Sequence, residues 1–133
     1  MPVIAVVEDN ADNRLLLQAI LGDQYDLVEY ENGRDALEGV RRERPALMLL
    51  DISLPEMDGT EVLAWIRGQE SLKHLPVIVL TSSPEEGDRA LTYDIGANSY
   101  IVKPLSFAGF LDVVRQIEGY WISLNVAPPE VTP

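Results

Sequence analysis

Five polar side chains stand at the ends of short apolar runs in this 133-residue chain. They are Glu8 and Asp9 after the first run, Asp51 after a second, and Thr81 and Lys103 at two later ones. Carboxylates gathered in one place repel one another and raise each other's pKa values, and a hard divalent cation removes this conflict. Oxygen ligands suit Mg²⁺, which binds phosphate oxygens, and a nearby lysine favours a phosphoryl group. These residue types predict a magnesium site for phosphoryl chemistry, if the fold gathers them.

The apolar runs predict a sheet that would bring these polar residues together. Short, continuous apolar runs are typical of strands buried on both faces of a parallel sheet. Residues 25–30 mix apolar and acidic residues instead, which suits an edge strand. Helical patterns separate the runs, and strand–helix alternation repeated five times predicts an α/β fold with helices on both faces of a parallel sheet. Ligands of such sheets bind beyond the carboxyl ends of the strands. The continuous runs are residues 3–7, 47–50, 77–80 and 100–102.

Local signals predict where the helices begin. Ser83, followed by Pro84 and two glutamates, predicts the N-cap of one helix. Asn32, Asp58 and Ser106 predict the caps of three others, so Asp58 is interpreted as a cap rather than a metal ligand.

The composition excludes several classes of function. Hydrophobic residues make up 47% and charged residues 24%, as in ordinary globular domains. Twenty-two acidic residues against 10 basic ones give a net charge of −12, which disfavours nucleic acid and anionic membranes. Cysteine is absent, which excludes thiolate chemistry. No apolar run has the length of a membrane helix and no signal peptide is evident, so a cytoplasmic location is expected.

Four segments resemble the motifs of two-component response-regulator receiver domains. They are VVEDN, LLLDISLPEMDG, VLTSS and YIVKP, and the resemblance extends from Val3 to about Trp121. It implies a flavodoxin-like (βα)5 fold with strand order 2-1-3-4-5. It also implies one receiver domain over residues 1–122, followed by an extended tail over residues 123–133.

The resemblance also implies roles for the residues at the expected site. Asp51 matches the phosphoacceptor aspartate. Glu8 and Asp9 match the acidic pair that holds Mg²⁺ together with Asp51, and the backbone carbonyl of Ser53 matches a further ligand.

Further residues match those that respond to phosphorylation in the family. Thr81 matches the hydroxyl that binds the transferred phosphoryl group, and Lys103 matches the invariant lysine, whose bond to Pro104 is expected to be cis as in the family. Tyr100 matches the aromatic switch residue. Ser82 departs mildly from the pattern, since many receivers have alanine there.

The last predicted helix, residues 107–121, carries two adjoining apolar stripes. Together they cover more of its circumference than the usual face of about 100°. One stripe is therefore predicted to bury against a partner. With the apolar tail, which could fold back or cross to a second subunit, this predicts a homodimer. The predicted interface stripe is Phe110, Val113, Ile117 and Tyr120.

The predicted function is that of a single-domain response regulator that is not an enzyme in the usual sense. A sensor histidine kinase would phosphorylate Asp51, and output would pass to a downstream protein target or a phosphotransfer protein. The ending IEGYWIS is similar to that of regulators partnering bacterial phytochromes, so a bacteriophytochrome is the candidate kinase.

Three alternatives use similar residues or the same fold. A Mg²⁺-dependent aspartyl phosphatase would usually need a second acid near Asp51, whereas position 53 is serine. A non-catalytic docking module remains open. A flavin-binding protein would need a phosphate-cradling loop after the first strand, where Glu8 and Asp9 would repel phosphate.

Overall fold

The computed structural model describes residues 2–55 and 57–126. Within them, strands and helices alternate along the chain. The strands are β1 Val3–Val7, β2 Asp26–Tyr30, β3 Leu47–Leu50, β4 Val77–Thr81 and β5 Ser99–Val102. The helices are α1 Ala11–Leu21, α2 Gly33–Glu43, α3 Gly59–Gly68, α4 Glu86–Ile95 and α5 Phe107–Ile117, and a short π-helix, Glu118–Ile122, continues α5.

The five strands form one parallel sheet in the order β2-β1-β3-β4-β5. This confirms the predicted fold class and places β2 at an edge. The other edge is β5, which was expected to be buried on both faces. That expectation is wrong, because β5 has a neighbour on one side only, and its last residue, Val102, is 44% exposed. No helix in the described ranges is long and apolar enough to cross a membrane.

The core lies in two layers, one on each face of the sheet. Successive strand residues point to opposite faces, so β1 contributes Ala5 and Val7 to one layer and Ile4 and Val6 to the other. The first layer includes residues of α2 and α3, and the second includes residues of α1 and α5. Both faces of the central strands are therefore covered, and the carboxyl ends of the strands meet at one edge.

Three of the four predicted caps are present. Side-chain oxygens of Asn32, Asp58 and Ser106 accept hydrogen bonds from backbone N–H groups in the first turns of α2, α3 and α5. The predicted cap at Ser83 is wrong. Helix α4 begins at Glu86, and its N-cap is Glu85, which provides no side-chain cap. The Ser83 hydroxyl donates to Asp88 Oδ2 at 2.6 Å and accepts only a long hydrogen bond, at 3.4 Å, from the Glu85 N–H.

The predicted interface stripe divides between the core and the surface. Phe110 is 4% exposed and Ile117 is 2% exposed, and both pack in the layer that contains α1. Their assignment to a partner interface is wrong, because this chain's own core covers them. Val113 is half-buried and Tyr120 is 52% exposed, so these two remain at the surface.

The chain does not become extended directly after the π-helix. The Ser123 N–H donates to the Glu118 carbonyl, and the Asn125 N–H donates to the Tyr120 carbonyl. The segment predicted as an extended tail therefore begins with a hydrogen-bonded turn. Residues 127–133, the rest of that predicted tail, lie outside the described residues, and the domain boundary at 122 stays a prediction.

Candidate functional site

Backbone pairing brings the predicted site residues to one edge of the sheet. The Asp51 N–H donates to the Val7 carbonyl at 3.0 Å, and the Lys103 N–H donates to the Thr81 carbonyl at 2.7 Å. These bonds continue the parallel ladders one residue beyond β3 and β5. The residues at neighbouring strand ends are consequently held side by side, as the spacing of the apolar runs predicted.

Asp51 is the centre of the arrangement and is 5% exposed. Its Oδ1 accepts hydrogen bonds from the Thr81 hydroxyl at 2.9 Å and from the Ser53 N–H at 3.0 Å. Its Oδ2 accepts from Lys103 Nζ at 2.9 Å. Two donors from the ends of β4 and β5 and one from the loop after β3 thus orient one buried carboxylate.

Lys103 also donates to Glu8 and so lies between two buried carboxylates. Burial is the largest influence on Glu8 and raises its pKa; the Asp51 charge adds to this, and Lys103 opposes it. Burial alone would lower the pKa of Lys103, but its hydrogen bonds to Glu8 and Asp51 and their charges outweigh burial and raise it. Lys103 is therefore held in its charged form.

Three residues at the start of α1 hold Glu8 and were not singled out in the sequence. The Asn10 N–H donates to Oε2 of Glu8 at 3.2 Å, and the Asn13 amide donates to Oε1 at 3.4 Å. Arg14 donates to the Glu8 carbonyl at 2.8 Å. The run of polar residues after Glu8 was the available signal, but it is equally typical of an ordinary helix start.

Glu8, Asp9 and Asp51 can each offer one oxygen to a cation, and these oxygens lie within 4.8 Å of one another. An all-oxygen donor set with three carboxylates fits Mg²⁺. The N–H of Ser53 binds Asp51, while the predicted role of its carbonyl as a ligand stays a prediction.

Gly59 is a further residue of the site that the sequence did not reveal. Its N–H donates to the Ile52 carbonyl at 2.9 Å. A Cβ atom at this position would lie 2.3 Å from the Asp51 carbonyl oxygen and 2.5 Å from the Ile52 Cα. The first turn of α3 therefore packs directly on the backbone of the Asp51 loop. In the sequence, the pair Asp58-Gly59 indicated only a helix start.

Tyr100 connects to the site through Ser83 in the loop after β4. Its hydroxyl donates to the Ser83 carbonyl at 2.8 Å, and the Ser83 N–H donates to the Thr81 hydroxyl oxygen at 3.4 Å. Thr81 in turn donates to Asp51. A continuous path of hydrogen bonds thus joins the buried carboxylate to the half-buried aromatic ring.

The expected cis bond before Pro104 is not found. No peptide bond in the described ranges is cis, so the Lys103–Pro104 bond is trans. Trans is the preferred form of an X–Pro bond, and Lys103 reaches both carboxylates with this bond trans.

The structure thus has a parallel α/β sheet with an acidic cluster and a lysine at the carboxyl ends of its strands. The family model described as the response regulator receiver domain matches residues 4–115. The chain therefore belongs to the response regulator receiver domain family, whose members act in two-component signalling.

Similar proteins include single-domain regulators. The polar-differentiation response regulator DivK of Brucella anthropi is 35% identical over 117 residues, covering 87% of this chain and 95% of DivK. The crystal structure of the Mn²⁺-bound response regulator Rcp1 has a TM-score of 0.90 and 32% identity, covering 97% of this chain and 100% of Rcp1. The phosphorylated cyanobacterial phytochrome response regulator RcpA has a TM-score of 0.92 and 36% identity, covering 96% and 99%.

Proposed function

We propose that this protein is a response regulator that accepts a phosphoryl group on Asp51 from a sensor histidine kinase in the cytoplasm. The observation that carries the proposal is the pair of buried carboxylates, Glu8 and Asp51, bridged by Lys103. Asp9 adds a third carboxylate at the rim. The net negative charge of these side chains would repel a phosphoryl group by itself, whereas a divalent cation bound among the carboxylates, together with Lys103, would make the site suitable for one.

In the proposed reaction, a carboxylate oxygen of Asp51 attacks phosphorus. The bond from phosphorus to the histidine nitrogen of the kinase breaks, the nitrogen keeps the electron pair, and an acyl phosphate forms. Lys103 counters the charge of the phosphoryl oxygens. A bound Mg²⁺, held by Glu8, Asp9, Asp51 and the Ser53 carbonyl, would neutralise further charge on the same oxygens. In this proposal, the domain catalyses only its own phosphorylation and dephosphorylation.

After transfer, Thr81 turns its hydroxyl from Asp51 to the phosphoryl group, and Tyr100 follows through the Ser83 loop. This changes the surface that partners contact. Output then passes by protein contact to a downstream target or by onward transfer to a phosphotransfer protein. The hydrogen-bond path from Asp51 to Tyr100 supports this part of the proposal.

A bacteriophytochrome is the kinase that we propose as donor. The support is the 36% identity to the phytochrome regulator RcpA over 96% of this chain. Radiolabel transfer from a purified bacteriophytochrome kinase, compared with an unrelated histidine kinase at equal concentration, tests this point. Equal transfer rates from both kinases would contradict it.

We also propose a homodimer formed through the last helix and the tail, with a second copy covering Val113 and Tyr120. An open groove supports the proposal, since Val113, Tyr120, Trp121 and Ile101 line it. Sedimentation velocity should give a dimer for the wild type and a shift toward monomer for Tyr120→Ala. A monomer at every concentration, phosphorylated or not, would contradict the proposal.

Intact mass after incubation with acetyl phosphate tests the phosphorylation itself. We expect one phosphoryl adduct in the presence of Mg²⁺, and none in EDTA or in Asp51→Asn. Asp58→Asn is a matched control, because it makes the same change at a helix cap and should keep the adduct. An adduct that survives in Asp51→Asn would refute the assignment of the acceptor, and no adduct from acetyl phosphate or from any kinase would refute the mechanism.

A further inference from the structure

The loop between β4 and α4 is held by a hydrogen bond that the proposed mechanism does not use. The Ser83 hydroxyl donates to Asp88 Oδ2 at 2.6 Å, which is the short distance of a charge-assisted O–H···O⁻ bond. Both side chains are half-buried. The bond spans five residues and closes the loop onto the first turn of α4.

Helix α4 has few other attachments in this structure. Among its described residues only Thr92 is buried, and the side chain of its N-cap, Glu85, makes no capping hydrogen bond. Leu91 and Tyr93 are each 48% exposed. A helix with little buried apolar surface has low local stability, so a single strong bond at its first turn contributes a large share of what holds that end in place.

Ser83 also makes hydrogen bonds to both Thr81 and Tyr100. Its N–H binds the Thr81 hydroxyl oxygen, and its carbonyl accepts from the Tyr100 hydroxyl. Fixing the Ser83 side chain therefore fixes the backbone groups on which both bonds depend.

We propose that Asp88 is a positioning residue, which holds Ser83 so that α4 and Tyr100 are coupled to the Asp51 site. The inference rests on the proposed function and adds the regulatory link between the acceptor and the first turn of α4. Asp88 acts through Ser83 and does not touch the phosphoryl group.

An alternative explanation is that Asp88 only complements the positive end of the helix dipole. Glu86 lies in the same first turn, is exposed and carries the same charge. Glu86→Ala is therefore the matched control for charge, Asp88→Ala removes charge and acceptor together, and Asp88→Asn removes charge but keeps an acceptor oxygen.

The experiment is NMR on the full chain with ¹³C-labelled tyrosine rings, with Tyr100 assigned from Tyr100→Phe, together with amide exchange at Ser83 and Glu85. In Asp88→Ala we expect the Tyr100 signals to move and the two amides to exchange about tenfold faster, since a hydrogen bond to a charged group is lost. Ser83→Ala should move the Tyr100 signals similarly, and the double variant should add nothing further. Glu86→Ala should resemble the wild type, and Asp88→Asn should lie between the wild type and Asp88→Ala, because a weaker, neutral hydrogen bond remains.

Equal effects of Asp88→Ala and Glu86→Ala, or no effect of Asp88→Ala, would overturn the proposal. Intact mass after acetyl phosphate treatment of the same samples separates this result from the proposed function. If the wild type gains no adduct from acetyl phosphate or from a histidine kinase, the proposed function fails, while the NMR comparison still tests the hydrogen bond. If all variants gain the adduct but the Tyr100 signals stay unchanged in Asp88→Ala, the positioning role alone fails.

Discussion

At the scale of residues, Lys103 is the only described cation that contacts both Glu8 and Asp51. Its side chain is 10% exposed, and those of the two carboxylates are 5% and 6% exposed. Removing one partner of a buried ion pair costs more than the pair itself contributes, because the remaining charge is left without compensation. Removal of the Lys103 charge would leave two buried carboxylates, Glu8 and Asp51, without compensation.

Lys103→Met should therefore lower the free energy of unfolding in EDTA by about 3 kcal/mol, and Mg²⁺ should restore part of the loss by replacing the missing positive charge. Urea denaturation with and without Mg²⁺ measures both effects. Lys73→Met is the control, because Lys73 pairs with Glu70 at the surface, and its loss should cost less than about 1 kcal/mol. Equal losses in the two variants would contradict the importance of the buried pair.

At the scale of elements, the contact of α3 with the Asp51 loop depends on Gly59. Gly59→Ala should destabilise the protein by about 2 kcal/mol or more, because the added Cβ meets backbone atoms that cannot rotate away. Gly87→Ala is the control, since nothing lies within 4 Å of a Cβ there. It should leave stability unchanged or raise it by up to ~1 kcal/mol. Thermal denaturation compares the two, and similar melting temperatures would refute the close approach.

Arg67 joins α3 to the two loops that precede β4 and β5, at the end of the sheet opposite the acidic site. Its guanidinium donates to the carbonyls of Lys73, Leu75 and Gly96 and to the side chain of Asn98. Burial lowers its pKa from the usual value. Arg67 therefore links α3 to the two loops through hydrogen bonds, away from the acidic site.

Arg67→Ala should lower the free energy of unfolding by about 2–4 kcal/mol, because three partly buried carbonyls lose a charged donor together. Arg67→Lys should restore little of it, since an ammonium group cannot donate in the same fork geometry. The exposed Arg89 provides the control, and Arg89→Ala should cost less than about 0.5 kcal/mol. Urea denaturation of the three variants measures these losses. Wild-type stability in Arg67→Lys would contradict the importance of the guanidinium hydrogen bonds.

At the scale of the whole molecule, a cation bound at the acidic cluster should stabilise the entire fold. A ligand that binds only the native state adds RT ln(1 + [L]/Kd), which is about 2.7 kcal/mol at one hundred times Kd. Mg²⁺ should therefore raise the melting temperature of the wild type above that in NaCl of equal ionic strength, which controls for screening of the net charge of −12.

Asp9→Asn should remove most of this Mg²⁺-dependent rise, because it removes one carboxylate of the cluster. Asp12→Asn removes an exposed acid of α1 and should keep the rise. Differential scanning calorimetry of the three proteins makes the comparison. A rise that is the same in all three would mean that Mg²⁺ acts on the general surface charge rather than at the cluster.

The sequence by itself determined the strand–helix order and which residues end the strands. Apolar runs, capping residues and strand-end polar residues are local patterns, and the hydrophobic effect and backbone hydrogen bonding act on them wherever the chain folds. That is why the sequence alone predicts that Glu8, Asp51, Thr81 and Lys103 lie at the carboxyl ends of neighbouring strands.

Only the tertiary structure decided what packs against what. Phe110 packs into the core, Gly59 packs against the backbone of the Asp51 loop, and the Ser83 hydroxyl donates to Asp88 although Ser83 is not the N-cap of α4. Each outcome depends on side chains brought together by packing rather than by the local pattern alone. A face of a helix or a serine near its start has several possible partners, and the choice among them is made by the shape and charge of the assembled neighbourhood.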